Sequence, residues 1–132
     1  MKRTPLKRKP RKPRGWRDCP KWLAAIRSQA CIHCGTQGQT QAAHVRTKMS
    51  GAMGQKPSDD WCVPLCAPCH HEQHQGNEPS TRTLYAYLTR LWSFVGVDRM
   101  HDRKQRAEAV EERGPDAIAG VSLYREIGGG LR

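Results

Sequence analysis

Cys31-Ile32-His33-Cys34 and Cys66-Ala67-Pro68-Cys69-His70-His71-Glu72-Gln73-His74 are the two stretches that decide how this chain folds. Thirty-one residues separate the two CxxC pairs. Two thiolates at this spacing face one ion when the chain makes a tight knuckle, and four soft sulfurs complete the tetrahedron that zinc prefers. The pattern predicts a structural zinc site made by Cys31, Cys34, Cys66 and Cys69. Gly35 suits the knuckle, since glycine turns tightly at no steric cost. A redox-active CxxC is the competing reading, but it belongs in a βαβ pattern that the sequence does not show. Cys19 and Cys62 have no partner at ligand spacing and read as buried or free thiols, and His33 reads as exposed.

A second constellation follows without a gap. His70 and His74 stand four apart, so on a helix they point from one face and can chelate a divalent ion. His71 with His74 is the alternative pair. His44 and an acid from Ser58-Asp59-Asp60 complete the group, and such a site stays open to a substrate. For a lone histidine the plainer reading is a polar helix residue. Three of them beside a zinc knuckle read as a site.

Composition agrees with a metal-stapled fold. Only 36% of the 132 residues are hydrophobic and a single Phe is present, so burial alone builds a thin core. No stretch near the N-terminus resembles a signal-peptide core and none approaches a membrane span, which points to the cytoplasm, where CxxC pairs bind metal more often than each other. The net charge of +11 is concentrated: residues 1–17 hold nine Lys or Arg and no acid. Without them, 14 basic residues face 12 acidic ones. Lys2, Arg3, Lys7, Arg8, Lys9, Arg11, Lys12 and Arg14, interrupted by Pro5, Pro10 and Pro13, predict a disordered arm that gains affinity for a phosphate backbone through counterion release. A solubilising or localisation tail is the alternative.

The coarse element order is α+β. Asp18 and Pro20 start a helix over about 20–29 with Trp22, Leu23 and Ile26 on one face. A strand spans Gln39 to Val45, and a loop runs from Arg46 to Lys56, with Met49 and Met53 as packing residues. Trp61, Val63 and Leu65 alternate as a second strand. The second CxxC opens a helix that Gly76-Asn77 ends. Ser80 caps a helix whose Leu84, Leu88, Leu91, Trp92 and Val95 form a core stripe. Asp98 caps a charged, solvated helix ending before Gly114-Pro115, and Ala117, Ile118, Val121 and Ile127 support a weak final one.

In this order the residues resemble the HNH endonucleases, whose ββα-metal core sits in a zinc-stapled treble-clef arrangement. Ala43-His44-Val45, Gly54-Gln55-Lys56-Pro57-Ser58-Asp59 and Val63-Pro64-Leu65-Cys66 are similar to a phage and prophage group that includes the RecA-dependent recombination-enhancement nuclease. The Lys2-to-Arg8 opening is similar to such phage proteins too. The resemblance covers residues 31–75. It implies a DNA endonuclease or nickase with a structural Zn2+ and a catalytic Mg2+ or other divalent ion, and a RecA-like filament as partner. His44 would be the general base, and His70 and His74 would hold the catalytic metal. Arg46, two residues on along the strand, reads as a phosphate contact on the His44 side, with a solvated Arg as the equal alternative. Many family members carry an Asp or His where this chain has Ala43, and the middle Asn is missing at or near Trp61. Asp59 or Asp60 is then the oxygen ligand, with the choice between them open. The expected layout is a basic arm over 1–17, a zinc-binding core over 18–78 and a helical extension over 79–132 that packs on it. A non-catalytic zinc-stabilised module that binds DNA or a recombination partner is the alternative, and a chaperone driven by the arm is the weaker third.

Overall fold

Pro20 begins the first helix because its fixed φ fits the first helical turn and its missing N–H costs nothing there. In the computed structural model the described residues are 5–6, 10, 12, 14–46, 56–74 and 81–126, without the side chains of 74, 81–85 and 125–126. Helix α1 spans Pro20–Arg27 and buries Trp22 and Ile26. Its N-cap is Cys19, not Asp18. Asp18 is instead taken by Arg14, which donates its backbone N–H at 2.6 Å and its Nε at 2.8 Å to the carboxylate.

Strands β1 (Thr40–His44) and β2 (Cys62–Cys66) form an antiparallel pair with Thr40 opposite Cys66 and His44 opposite Cys62. The pairing continues past β1, since Val45 N–H donates to the Trp61 carbonyl at 2.8 Å. Trp61, expected in the second strand, lies instead in a short 3-10 turn, Asp59–Trp61, just before it. All five residues of β2 are buried, so the expected alternation is absent. Helices α1 and α2 (Ala67–His74) both pack against this strand.

Helix α3 spans Thr81–Ser93, and its Leu88, Leu91 and Trp92 are buried as expected, with Val95 just beyond its end. Helix α4 differs from expectation. It spans Arg103–Ile118, begins after Asp102 and runs through Gly114-Pro115. Asp98 caps nothing there; its carboxylate accepts the N–H of Met100 at 2.8 Å. Nor is α4 solvated all round, because Arg106, Ala107, Ala109, Val110, Gly114 and Ile118 are buried. Small residues permit this: α4 packs on α1, and the Trp22 indole occupies the space a side chain at Gly114 would need. Helix α5 is the single turn Leu123–Glu126, and Ala117 and Ile118 belong to α4. Met49, Met53, Gly76-Asn77, Ser80, Ile127 and the Leu84 side chain lie outside the described residues.

One buried cluster joins Trp22, Ile26, Val63, Trp92, Val110 and Ile118, so residues on both sides of position 78 share a core. Gly114→Ala should therefore lower stability by about 1–3 kcal/mol, overpacking outweighing the roughly 1 kcal/mol helix-propensity gain of alanine. Urea denaturation checks it, and a variant as stable as the parent would deny the contact.

Candidate metal centre and the His44 site

The four-cysteine knuckle is built locally. Gly35, at φ +78°, closes the first turn by donating its N–H to the Cys31 carbonyl at 2.8 Å. Ile32 N–H donates to the Pro64 carbonyl at 3.0 Å, which hangs this turn on β2. Cys66 ends β2, and Cys69 lies in the first turn of α2. The sulfurs of Cys31, Cys34, Cys66 and Cys69 all lie within 4.8 Å of one another. Cys34 and Cys66 are 3.5 Å apart. A tetrahedral zinc with bonds near 2.3 Å needs sulfurs roughly 3.8 Å apart, so the four donors fit that ion. None of the six cysteines is in a disulfide. Hydrogen bonding from Thr36 brings the Cys34 thiol down to about 6, whereas burial pushes Cys66 and Cys69 up. Cys34 is thus a readier thiolate than Cys66 or Cys69, which lose their protons as metal binds.

The second arrangement is centred on His44. As the last residue of β1 it stands opposite Cys62, and its Nε2 lies 2.8 Å from Asp59 Oδ1. The His44 side chain keeps 15% of its surface exposed and Asp59 only 4%, so the imidazole is reachable from solvent while its partner is not. Asp59 Oδ2 accepts the Cys19 N–H at 2.9 Å, and Arg14 approaches Oδ1 at 3.3 Å. Burial alone would raise the Asp59 carboxyl, but the bonds from His44 and Cys19 and the Arg14 charge outweigh it and hold it below the usual carboxylate range. An ionised carboxylate only accepts, so His44 donates from Nε2 and its Nδ1 is the basic nitrogen. Gln73 donates to the His44 carbonyl at 3.4 Å, tying α2 to the strand end. Cys62, fully buried, has its thiol raised well above the ordinary value by burial. The donor atoms of His44, Asp59 and Cys62 fall within 4.8 Å of one another.

Several expected site residues are placed elsewhere. Asp60 does not join His44. It is wholly buried and accepts the Arg106 Nε at 2.8 Å, a pairing that commits it to the core. His70 is half-buried, its Nδ1 lies 2.8 Å from Gln41 Oε1, and among the described residues no three-donor group links it to His44. The His74 side chain lies outside the described residues. Arg14, expected on phosphate, is committed to Asp18, Asp59 and the carbonyls of Lys56 and Pro57. Lys12, Arg46 and His33 are exposed, whereas Lys2, Arg3, Lys7, Arg8, Lys9 and Arg11 lie outside the described residues.

A family model described as DUF968, protein of unknown function, matches residues 5–83, more than half of the chain. The chain belongs to the DUF968 family. The match takes in the four clustered cysteines, His44, Asp59, Cys62 and His70, and ends before α4. No curated protein and no solved structure matches the chain.

Two features of this DUF968 member escaped the sequence reading. Cys62 shows its place only through the β1–β2 register, which puts it across from His44. Arg14 lies in a run of basic residues and carries no mark that separates it from its neighbours.

The Asp59 environment sets a pH dependence. Because its folded pKa is depressed, its contribution is fully present above the unfolded value near 3.9 and is lost as pH falls through the lower folded value. Denaturation measured from roughly pH 5 downward should show a steeper loss for the parent than for Asp59→Asn. Equal slopes would mean that the carboxylate is not held as described.

Proposed function

We propose that this protein is a divalent-metal-dependent DNA endonuclease or nickase of the HNH type, its ββα unit stapled by a four-cysteine zinc in a treble-clef-like arrangement. The observation that carries the reading is His44, solvent-reachable at the end of β1 and backed by the buried Asp59 at 2.8 Å. The order β1, β2, α2 with His70 on α2 supports it, as does the resemblance over residues 31–75.

In this reading His44 Nδ1 takes the proton of the attacking water. Asp59 fixes the imidazole's tautomer and stabilises the charge that His44 gains, the work that a buried acid does behind a catalytic histidine. In this reading Asp59 serves His44 and not the working ion, since among the described residues no three-donor group joins it to His70. Asp60 Oδ2 is paired with Arg106, so Asp60 is not taken as a ligand in this reading either. That leaves His70 and His74 as the protein ligands of the working ion. Mg2+ or another divalent cation there would screen the charge on the scissile phosphate and the departing oxygen.

The arm residues Lys2, Arg3, Lys7, Arg8, Lys9, Arg11 and Lys12 supply backbone affinity, and the exposed Arg46 adds a phosphate contact beside the site. A phage or prophage origin, a cytoplasmic setting and a RecA-like filament as partner belong to the same proposal and rest on the resemblance. Among the described residues no helix is long and apolar enough to cross a membrane.

Incubation of supercoiled plasmid with the full chain and Mg2+ or Mn2+ tests the proposal. The expected result is conversion to nicked or linear DNA that chelation prevents. Retention of DNA with no cleavage under any divalent metal would instead select the non-catalytic zinc module.

A further inference from the structure

We propose that His44, Asp59 and Cys62 form a second, inhibitory site for a thiophilic divalent ion, zinc foremost, separate from both the four-cysteine knuckle and the His70–His74 pair. The three donor atoms already lie within 4.8 Å of one another, drawn from β1, the turn before β2 and the first residue of β2. Little movement is needed: nitrogen and oxygen ligands about 2.0–2.1 Å from a tetrahedral zinc lie roughly 3.3 Å apart, and His44 Nε2 and Asp59 Oδ1 now stand 2.8 Å apart.

The donor set chooses the metal. Imidazole with thiolate suits zinc, and Mg2+, which wants oxygen donors and retains its waters, gains nothing from a sulfur. Three protein ligands leave a fourth position for water, reached from the side on which His44 is exposed. The surroundings supply the outer support that such a centre needs. Asp59 Oδ2 is held by the Cys19 N–H at 2.9 Å, and Oδ1, which now faces His44 Nε2 at 2.8 Å, would turn to the ion once the His44 proton has moved to Nδ1. Arg14, at 3.3 Å from Oδ1, steadies the same carboxylate. Binding transfers the Cys62 thiol proton to solvent and moves the His44 proton from Nε2 to Nδ1, so the ion meets one thiolate, one carboxylate and a neutral imidazole.

The consequence for activity rests on the nuclease reading: a His44 whose Nε2 is bound to metal and whose Nδ1 is protonated takes no proton from water. Zinc would then switch the enzyme off at a site that Mg2+ leaves alone.

Cd2+ titration of the metal-free full chain, followed by the thiolate-to-metal absorbance in the ultraviolet, separates the sites, because a histidine-only centre is silent in that band. The parent should show a first phase from the four knuckle sulfurs and a second with about one quarter of its amplitude, the ratio of one thiolate to four. Cys62→Ala should lose the second phase, Cys62→Ser should lose it with a smaller change in packing, and Cys19→Ala should keep it. A parent with no second phase overturns the site whatever the variants do, as does a Cys62 variant that retains it. Zinc should also stop plasmid nicking by the parent and spare Cys62→Ser. Inhibition equal in both would refute the switch. A parent that shows the second phase but never cuts DNA would refute the nuclease reading and leave the metal site standing.

Discussion

Stripping the metal from the four-cysteine knuckle should unfold the core. A structural zinc contributes roughly 10–16 kcal/mol at neutral pH in zinc-finger peptides, against a net stability of about 5–15 kcal/mol for a typical domain. Here the ion would tie the turn after α1 to the junction of β2 and α2. Nothing covalent replaces it, since no cysteine is in a disulfide. Cys34→Ser is the cleanest substitution, because Cys34 is exposed and its loss leaves no buried cavity. It should release zinc and abolish the cooperative thermal transition in far-UV circular dichroism. Cys19→Ser, at a buried thiol outside the cluster, should keep one tightly held zinc per chain. If Cys34→Ser or the chelated parent melts at the temperature of the untreated protein, the knuckle does not hold the fold.

Arg106→Ala should destabilise by about 3–5 kcal/mol, the cost of leaving one member of a buried ion pair without the other. The Arg106 side chain is 3% exposed and Asp60 is fully buried, with Nε and Oδ2 2.8 Å apart. The guanidinium also lies over the Trp92 ring at 4.4 Å and the Trp61 ring at 5.3 Å, and Trp61 and Trp92 meet edge to face. It reaches the carbonyls of Asp98, Arg99 and His101 as well, so one side chain links α4, the turn before it and the Asp59–Trp61 turn. Arg106→Lys should recover little, because an ammonium neither stacks on two rings nor spans that fork. Double substitution of Asp60 and Arg106 by apolar residues should cost less than Arg106→Ala alone. Thermal melts of the three variants decide it, and an Arg106→Ala melt within a few degrees of the parent would remove the pair from the account.

What the sequence made legible was local. The CxxC spacing, Gly35 and the passage from β2 into a helix at the second CxxC are set by residues close in the chain, and the described structure has them in place. The charged face of α4 concealed its burial because the partners lie far away: Gly114 answers to Trp22, and Arg106 to Asp60, 46 residues before it. Pro115 and Gly114 read as a helix end, yet tertiary packing on α1 carries the helix through them. The same distance hid the site. Asp59 and Asp60 are neighbours with equal claims as metal ligands, and only the fold sends one to His44 and the other into the core. Arg14 likewise left the basic arm for Asp59, a contact 45 residues long that no charge pattern announces.

The central claim concerns His44. The rate at which the full chain nicks supercoiled plasmid in Mg2+ or Mn2+ should be compared with that of His44→Ala at equal zinc content and equal melting temperature. A positioned general base contributes about 10²- to 10⁴-fold, so nicking by the variant should fall by that factor while DNA retention persists. A variant that keeps its zinc and cuts as fast as the parent would contradict the account.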